Sequence, residues 1–172
     1  NKKTFTYGRI EARIKFPGGK GTWPAFWMMG NSGNWPNCGE IDIMEHVGSI
    51  PNRASFALHT VEKNGTRGNN WHATKMFDYS LADDFHTYAV EWAQEEKDGK
   101  DVIRFFVDGV QYAEQWEAKI DNNDSWPFNK PHFIILNLAI GGTMGGSVDD
   151  AIFNVPRIMY VDYVRVYQRT EK

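Results

Sequence analysis

Alternation of apolar and polar residues governs most of the chain. In "YGRIEARIKF", Ile10, Ala12 and Ile14 fall on one parity and Arg9, Glu11, Arg13 and Lys15 on the other. Successive strand residues point to opposite faces, so this segment reads as a half-buried strand. "PGGKG" ends it. "TWPAFWMMG" is apolar with little alternation, and "EIDIME" and "RASFALHTV" follow as further strands. "FHTYAVEWAQ" and "VIRFFVDGVQYAEQW" continue the pattern, with Asp108-Gly109 as a hairpin signal. "HFIILNLAIGG" reads as a buried strand, and "MYVDYVRVYQ" alternates again. No segment carries a long helical period. Strands every ~10–15 residues with turns between them predict two stacked antiparallel sheets.

The stretch "GEIDIMEH", residues 39 to 46, crowds acids in a way that the period of two does not explain. Glu40 and Asp42 share a parity, and Glu45 has the other. Two readings stand at this point. Glu45 lies on an exposed face or in a loop, and the acids are merely a polar strand. Or a β-bulge at Ile43-Met44 shifts the alternation and returns Glu45 to the face of Glu40 and Asp42. In the second reading, four strand steps of ~3.3 Å separate the glutamate backbones by about 13 Å. Side chains leaning inward close that to roughly 5–6 Å, near the ~5–5.5 Å of a retaining glycosidase; a wider gap favours inversion. Three like charges on one face also raise at least one pKa, which separates an ionised nucleophile from a protonated acid.

Composition narrows the function class. The chain has 172 residues and a net charge of −3, with no basic run or stripe, which argues against nucleic acid as a partner. No apolar stretch approaches the ~18 residues of a membrane-spanning helix. Asn1 in place of Met suggests a mature or trimmed chain. Cys38 is the single cysteine, which excludes an internal disulfide and reads as a packing residue. Aromatic residues are abundant, and Trp23, Trp27 and Trp35 come shortly before the acids. Flat aromatic faces pack well on pyranose rings, although a given Trp is equally a core residue. Glu11 and Arg13 share a strand face and offer hydrogen bonds to sugar hydroxyls, or form a surface pair. His59 and Asn137 sit on strands that can face the same groove, and His59 also reads as structural.

"GEIDIMEHVG" resembles the signature of glycoside hydrolase family 16 in its bulged form, Glu-x-Asp-x-x-Glu. "YGRIEARIKFPGGKGTWPAFWMMG" is similar to the stretch preceding it in laminarinase-like members. "FHTYAVEW", "FFVDG", "ILNLAIGG" and "YVDYVRVYQ" resemble later blocks of the family in the same order. The resemblance implies an all-β jelly-roll sandwich with a substrate cleft across its concave sheet. It implies a single domain over residues 1–172, N-terminally incomplete relative to the family. It implies an endo-acting retaining hydrolase of β-1,3 or mixed-linkage β-1,3/1,4-glucan. Glu40 would be the nucleophile, Glu45 the general acid/base, and Asp42 the residue that holds and tunes both. Glu11, Arg13, Trp23, Trp27, Trp35, His59 and Asn137 match positions that line the family's cleft. Asp162 matches an aspartate of a structural calcium site, and no cofactor is implied for catalysis. Strand exchange, or supply of the missing strands from elsewhere, would cover the open edge. A secreted or cell-envelope location is expected. The same-family alternative is an agarase- or carrageenase-type galactan hydrolase, and the non-enzymatic one is a carbohydrate-binding β-sandwich.

Overall fold

The computed structural model describes residues 3–66, 68–95, 99–117 and 126–169. Ten strands follow in chain order: β1 (Gly8–Lys15), β2 (Thr22–Gly30), β3 (Glu40–Glu45), β4 (Arg53–His59), β5 (Trp71–Met76), β6 (His86–Gln94), β7 (Asp101–Val107), β8 (Val110–Trp116), β9 (His132–Ile140) and β10 (Tyr160–Tyr167). They form two antiparallel five-stranded sheets, β10-β1-β6-β7-β8 and β5-β4-β3-β2-β9. The one described α-helix is the single turn α1 (Gly142–Gly145).

The apolar parities meet between the sheets. Ile10 and Ile14 of β1, Tyr88, Val90 and Trp92 of β6, and Ile103 and Phe105 of β7 come from one side. Phe26, Met28, Ile41, Ile43, Phe56 and Leu58 come from the other. Burying a side chain of this size stabilises the fold by about 1.5–3 kcal/mol. Phe105 bridges the layers, 5.4 Å from Phe56 and 5.4 Å from Trp71, centroid to centroid. The Asp108-Gly109 turn has φ of 50° and 79°, the left-handed pair that a two-residue hairpin needs.

Two elements differ from the sequence expectation. β5 does not stand out in the sequence, because "WHATKM" sets Trp, Ala and Lys against His, Thr and Met with little contrast in polarity. β9 is an edge strand rather than a buried one: β2 is its one neighbour in the sheet and Phe5 bridges only its first residue, His132, leaving Leu136 36% and Ile140 41% exposed. An apolar run shows that a segment wants cover, not that it lies in the middle of a sheet. Among the described residues, no helix is long and apolar enough to cross a membrane.

Candidate active site

The acid strand carries a bulge. Met44 pairs with Phe26 of β2, the next β2 residue Trp27 pairs with Asp42, and Ile43 is left over. The pairing with β4 shifts between the same residues, Asp42 and Glu45. Ile43 and Met44 are consecutive, yet both are fully buried. Their burial reverses the parity after Met44, and Glu45 rejoins Glu40 and Asp42 on the groove face.

These acids line an open groove of about 210 Å³ together with Trp23, Ala25, Trp27, Asn137 and Ala139. Strands β2 and β9 supply the aromatic wall, because Trp23 pairs with Ala139 and Ala25 with Asn137. Ala25 and Ala139 keep the floor low, which the sequence reading did not anticipate. A larger hollow of about 640 Å³ lies on the other sheet, lined by Arg9, Glu91, Arg104 and Tyr167 among others. Its Arg9 and Arg104 are already paired with Glu91 and Glu95, and it contains no crowded acids.

Each groove glutamate receives an N–H group from an indole. Trp35 Nε1 donates to Glu40 Oε2 at 2.6 Å, and Trp23 Nε1 donates to Glu45 Oε1 at 3.0 Å. His59 Nε2 lies 3.0 Å from Asp42 Oδ2. The other ring nitrogen of His59 lies 2.9 Å from the carbonyl of Asn64. That carbonyl accepts only, so Nδ1 carries a hydrogen and one proton is shared between Nε2 and Asp42. Trp27 Nε1 donates to Asn137 Oδ1 at 2.8 Å, which locks the amide on the groove wall.

Electrostatics separates the three acids. Burial drives the Asp42 carboxyl well above its usual range, against the bond from His59. Burial alone would lower His59, but Asp42, Glu40 and the Asn64 carbonyl outweigh it and push it up to about 9. Burial also raises Glu45, opposed by the Trp23 hydrogen bond and the charges of His59 and Arg53, and reinforced by Glu40. A carboxyl raised in this way is suited to hold a proton until a leaving oxygen takes it. Arg53 was not anticipated; it follows from β4 running beside the acid strand.

The structure does not bring all the candidate residues together. Trp23, Trp27 and Asn137 line the groove, while Trp35 and His59 reach it through bonds to Glu40 and Asp42. Glu11 and Arg13 do not reach it, which corrects the expectation for both. They sit on β1, which pairs with β6 and β10 in the opposite sheet. Ile10, Ala12 and Ile14 fill the inner face there, so Glu11 and Arg13 face outward. Glu11 accepts from Arg9 Nε at 3.0 Å, and Arg13 donates to Asp162 Oδ2 at 2.9 Å. Asp162 belongs to no group of three or more His, Cys, Asp or Glu among the described residues that could share an ion. Glu40, Asp42 and His59 do place donor atoms within 4.8 Å of one another, but the His59–Asp42 proton already occupies that position.

With this geometry in hand, comparison with known proteins places the chain. The model of "Glycosyl hydrolases family 16" matches residues 1–161. The chain belongs to this family. It is 40% identical to a β-glucanase of Rhodothermus marinus over 99% of its own length, and 36% identical to a keratan-sulfate endo-1,4-β-galactosidase of Sphingobacterium multivorum over 96%. It spans 60% and 38% of those two proteins. The crystal structure of a laminarinase from Flavobacterium sp. UMI-01 superposes with a TM-score of 0.84 at 41% identity, covering 98% of this chain and 70% of that one.

Proposed function

We propose that this chain carries the catalytic centre of an endo-acting, retaining β-glucanase for β-1,3 or mixed-linkage β-1,3/1,4-glucan. The supporting observation is the bulge at Ile43, which brings two glutamates of one strand to one groove face with an aromatic wall beside them. Glu40 attacks the anomeric carbon while Glu45 gives its proton to the departing oxygen. Glu45 then takes a proton from water as the hydroxyl displaces Glu40 from the sugar. Asp42 and His59 hold a neutral pair between them and add no net charge. The groove is open rather than a blind hole, which suits internal cleavage of a polymer. Relatives named as β-glucanase and laminarinase support a glucan.

The galactosidase relative supports a second reading, a galactan hydrolase using the same acids. Among the described residues no Lys or Arg lines the groove, which gives a sulfated polymer no counter-charge from them. A purely binding role would not require the two glutamates to be held by separate donors. A polymer substrate favours a secreted or cell-envelope location. The exposed edges β9 and β10 are suited to pairing with a further strand. The test is release of reducing sugar from laminarin, lichenan, barley glucan and agarose, with proton NMR of the first products. Oligosaccharides from a β-glucan with the β-anomer first are expected. Cleavage of agarose alone, an α-anomer first, or no release at all would overturn the proposal.

A further inference from the structure

Trp23 lies on the groove wall, where an aromatic ring is naturally read as a platform for sugar. Its surroundings point to another role. The ring edge is seated by α1: a Cβ on Gly142 would stand 3.2 Å from Trp23 Cζ3. A Cβ on Gly145 would stand 3.5 Å from Trp23 Cβ and 3.0 Å from the Gly21 carbonyl. The turn is itself tied to the start of β2, because Gly141 N donates to Gly21 O at 2.7 Å. The glycines of "IGGTMGG" thus allow backbone to pack directly on the indole, which fixes the direction of its N–H. That N–H ends on Glu45 Oε1 at 3.0 Å.

We propose that Trp23, seated by the 142–145 turn, is a positioning residue that aims Glu45 and strengthens it as an acid. The inference rests on the glycosidase reading above. With Oε1 occupied by the indole donor, the transferable proton sits on Oε2, toward the groove. In the first step that proton passes to the glycosidic oxygen, the carbon–oxygen bond breaks, and Glu40 bonds to the anomeric carbon. Glu45 is left as a carboxylate, and an N–H bond to a carboxylate is stronger than one to the neutral acid. Trp23 therefore favours departure of the proton, most of all for leaving groups that need it. In the second step the same bond makes Glu45 a somewhat weaker base. The charged groups facing Glu45 are Glu40 and Asp42 on its own strand and Arg53 and His59 on β4. None of them changes when the indole is replaced.

Trp23→Phe keeps an aromatic ring and removes the donor. The alkaline limb of kcat/KM should move up by about one pH unit. Turnover of polysaccharide should fall roughly tenfold more than turnover of a dinitrophenyl glycoside, which departs without protonation. Gly142→Ala, which presses on the ring, should move the limb in the same direction. A rise in KM confined to long chains, with an unmoved pH profile, would show a platform and overturn the inference. A measurement independent of activity keeps the two readings apart. The indole N–H resonance of Trp23 should shift with pH in the wild-type chain and stop titrating in Glu45→Gln. Failure to cleave any β-glucan would sink the functional reading, whereas an indole resonance indifferent to Glu45 would sink this one.

Discussion

Two acid-bearing surfaces on opposite sheets hold their carboxylates with different kinds of donor. On the outer face of β1 and β10, Glu11 is bound to Arg9 and Asp162 to Arg13. On the groove face of β3, Glu40 and Glu45 are bound by indole N–H groups and Asp42 by an imidazole. A guanidinium cannot lose its proton, so it stands as a fixed positive charge beside its partner. A neutral N–H donor orients a carboxylate without cancelling its charge, and leaves it free to bind a proton or a carbon. The outer face fixes charge, while the groove keeps it movable.

The comparison breaks most sharply at matched glutamates. Glu40→Gln should lower the rate on β-glucan roughly 10⁴-fold or more, as loss of a nucleophile does. Glu11→Gln should leave the rate within about twofold, because Glu11 faces away from the groove. Initial rates and melting temperatures of both variants decide the matter. A comparable loss of rate in Glu11→Gln would place the outer face in the chemistry.

That asymmetry was only half legible in the sequence. Parity shows that Glu11 and Arg13 share a face, but not which sheet that face belongs to. The missing information lies in long-range pairing: Arg13 meets Thr87 of β6 and Tyr163 of β10. The bulge was legible because Ile43 and Met44 are adjacent apolar residues between acids, and burying both reverses parity. The Trp–Glu bonds were not legible, because a ring near an acid in sequence has no stated direction. The Arg13–Asp162 pair was not legible either, because parity along β10 does not show which strand lies beside it.

The histidines sharpen the contrast through pH. Burial holds His46 and His132 down to about 4, although each has a backbone carbonyl near Nδ1. Their folded pKa values lie below the unfolded value, so their contribution is complete above about 6.5 and is lost as pH falls toward 4. At its limit this amounts to about 3 kcal/mol for each residue. His59 has the opposite sign: raised to about 9, it supports the fold below about 6.5 and loses that support as pH rises through 9. Urea midpoints measured from pH 4 to 9.5 should therefore fall on both sides. His59→Gln should flatten the alkaline side only. An acid side that stays level from 6.5 to 4 would contradict the assignment for His46 and His132.

A smaller effect is expected at Trp35, which is 46% exposed and binds Glu40. Trp35→Ala should weaken action on long substrates by about 1–3 kcal/mol, or roughly 5- to 150-fold. Its exposure predicts little change in melting temperature, whereas a core Trp would cost ~3–5 kcal/mol of stability. Trp35→Phe separates the two uses of the ring, because it retains a face for stacking and removes the donor to Glu40. Equal loss in both variants assigns the effect to the N–H group; recovery in Phe assigns it to the ring.

The smallest effect belongs to the outer face. Arg13 and Asp162 lie 2.9 Å apart, but their side chains are 38% and 50% exposed. Water and salt screen such a pair, and holding two side chains together costs entropy, so its worth is about 0.2–1 kcal/mol. Arg13 also lies over the ring of Phe85 at 4.6 Å, which adds a contact that Asp162 lacks. Arg13→Gln should therefore lower the melting temperature slightly more than Asp162→Asn, each by a few degrees at most. The double variant should lose less than the sum of the single losses, because the second substitution has no partner left to remove. High salt should shrink the difference between wild type and Asp162→Asn. Calcium offers the opposing outcome. If Asp162 held an ion, chelation would lower the wild-type melting temperature and leave Asp162→Asn unchanged. The ion-pair account instead predicts that Asp162→Asn shows the same small loss with calcium and with chelator, since a cation already beside the carboxylate does the neutralising.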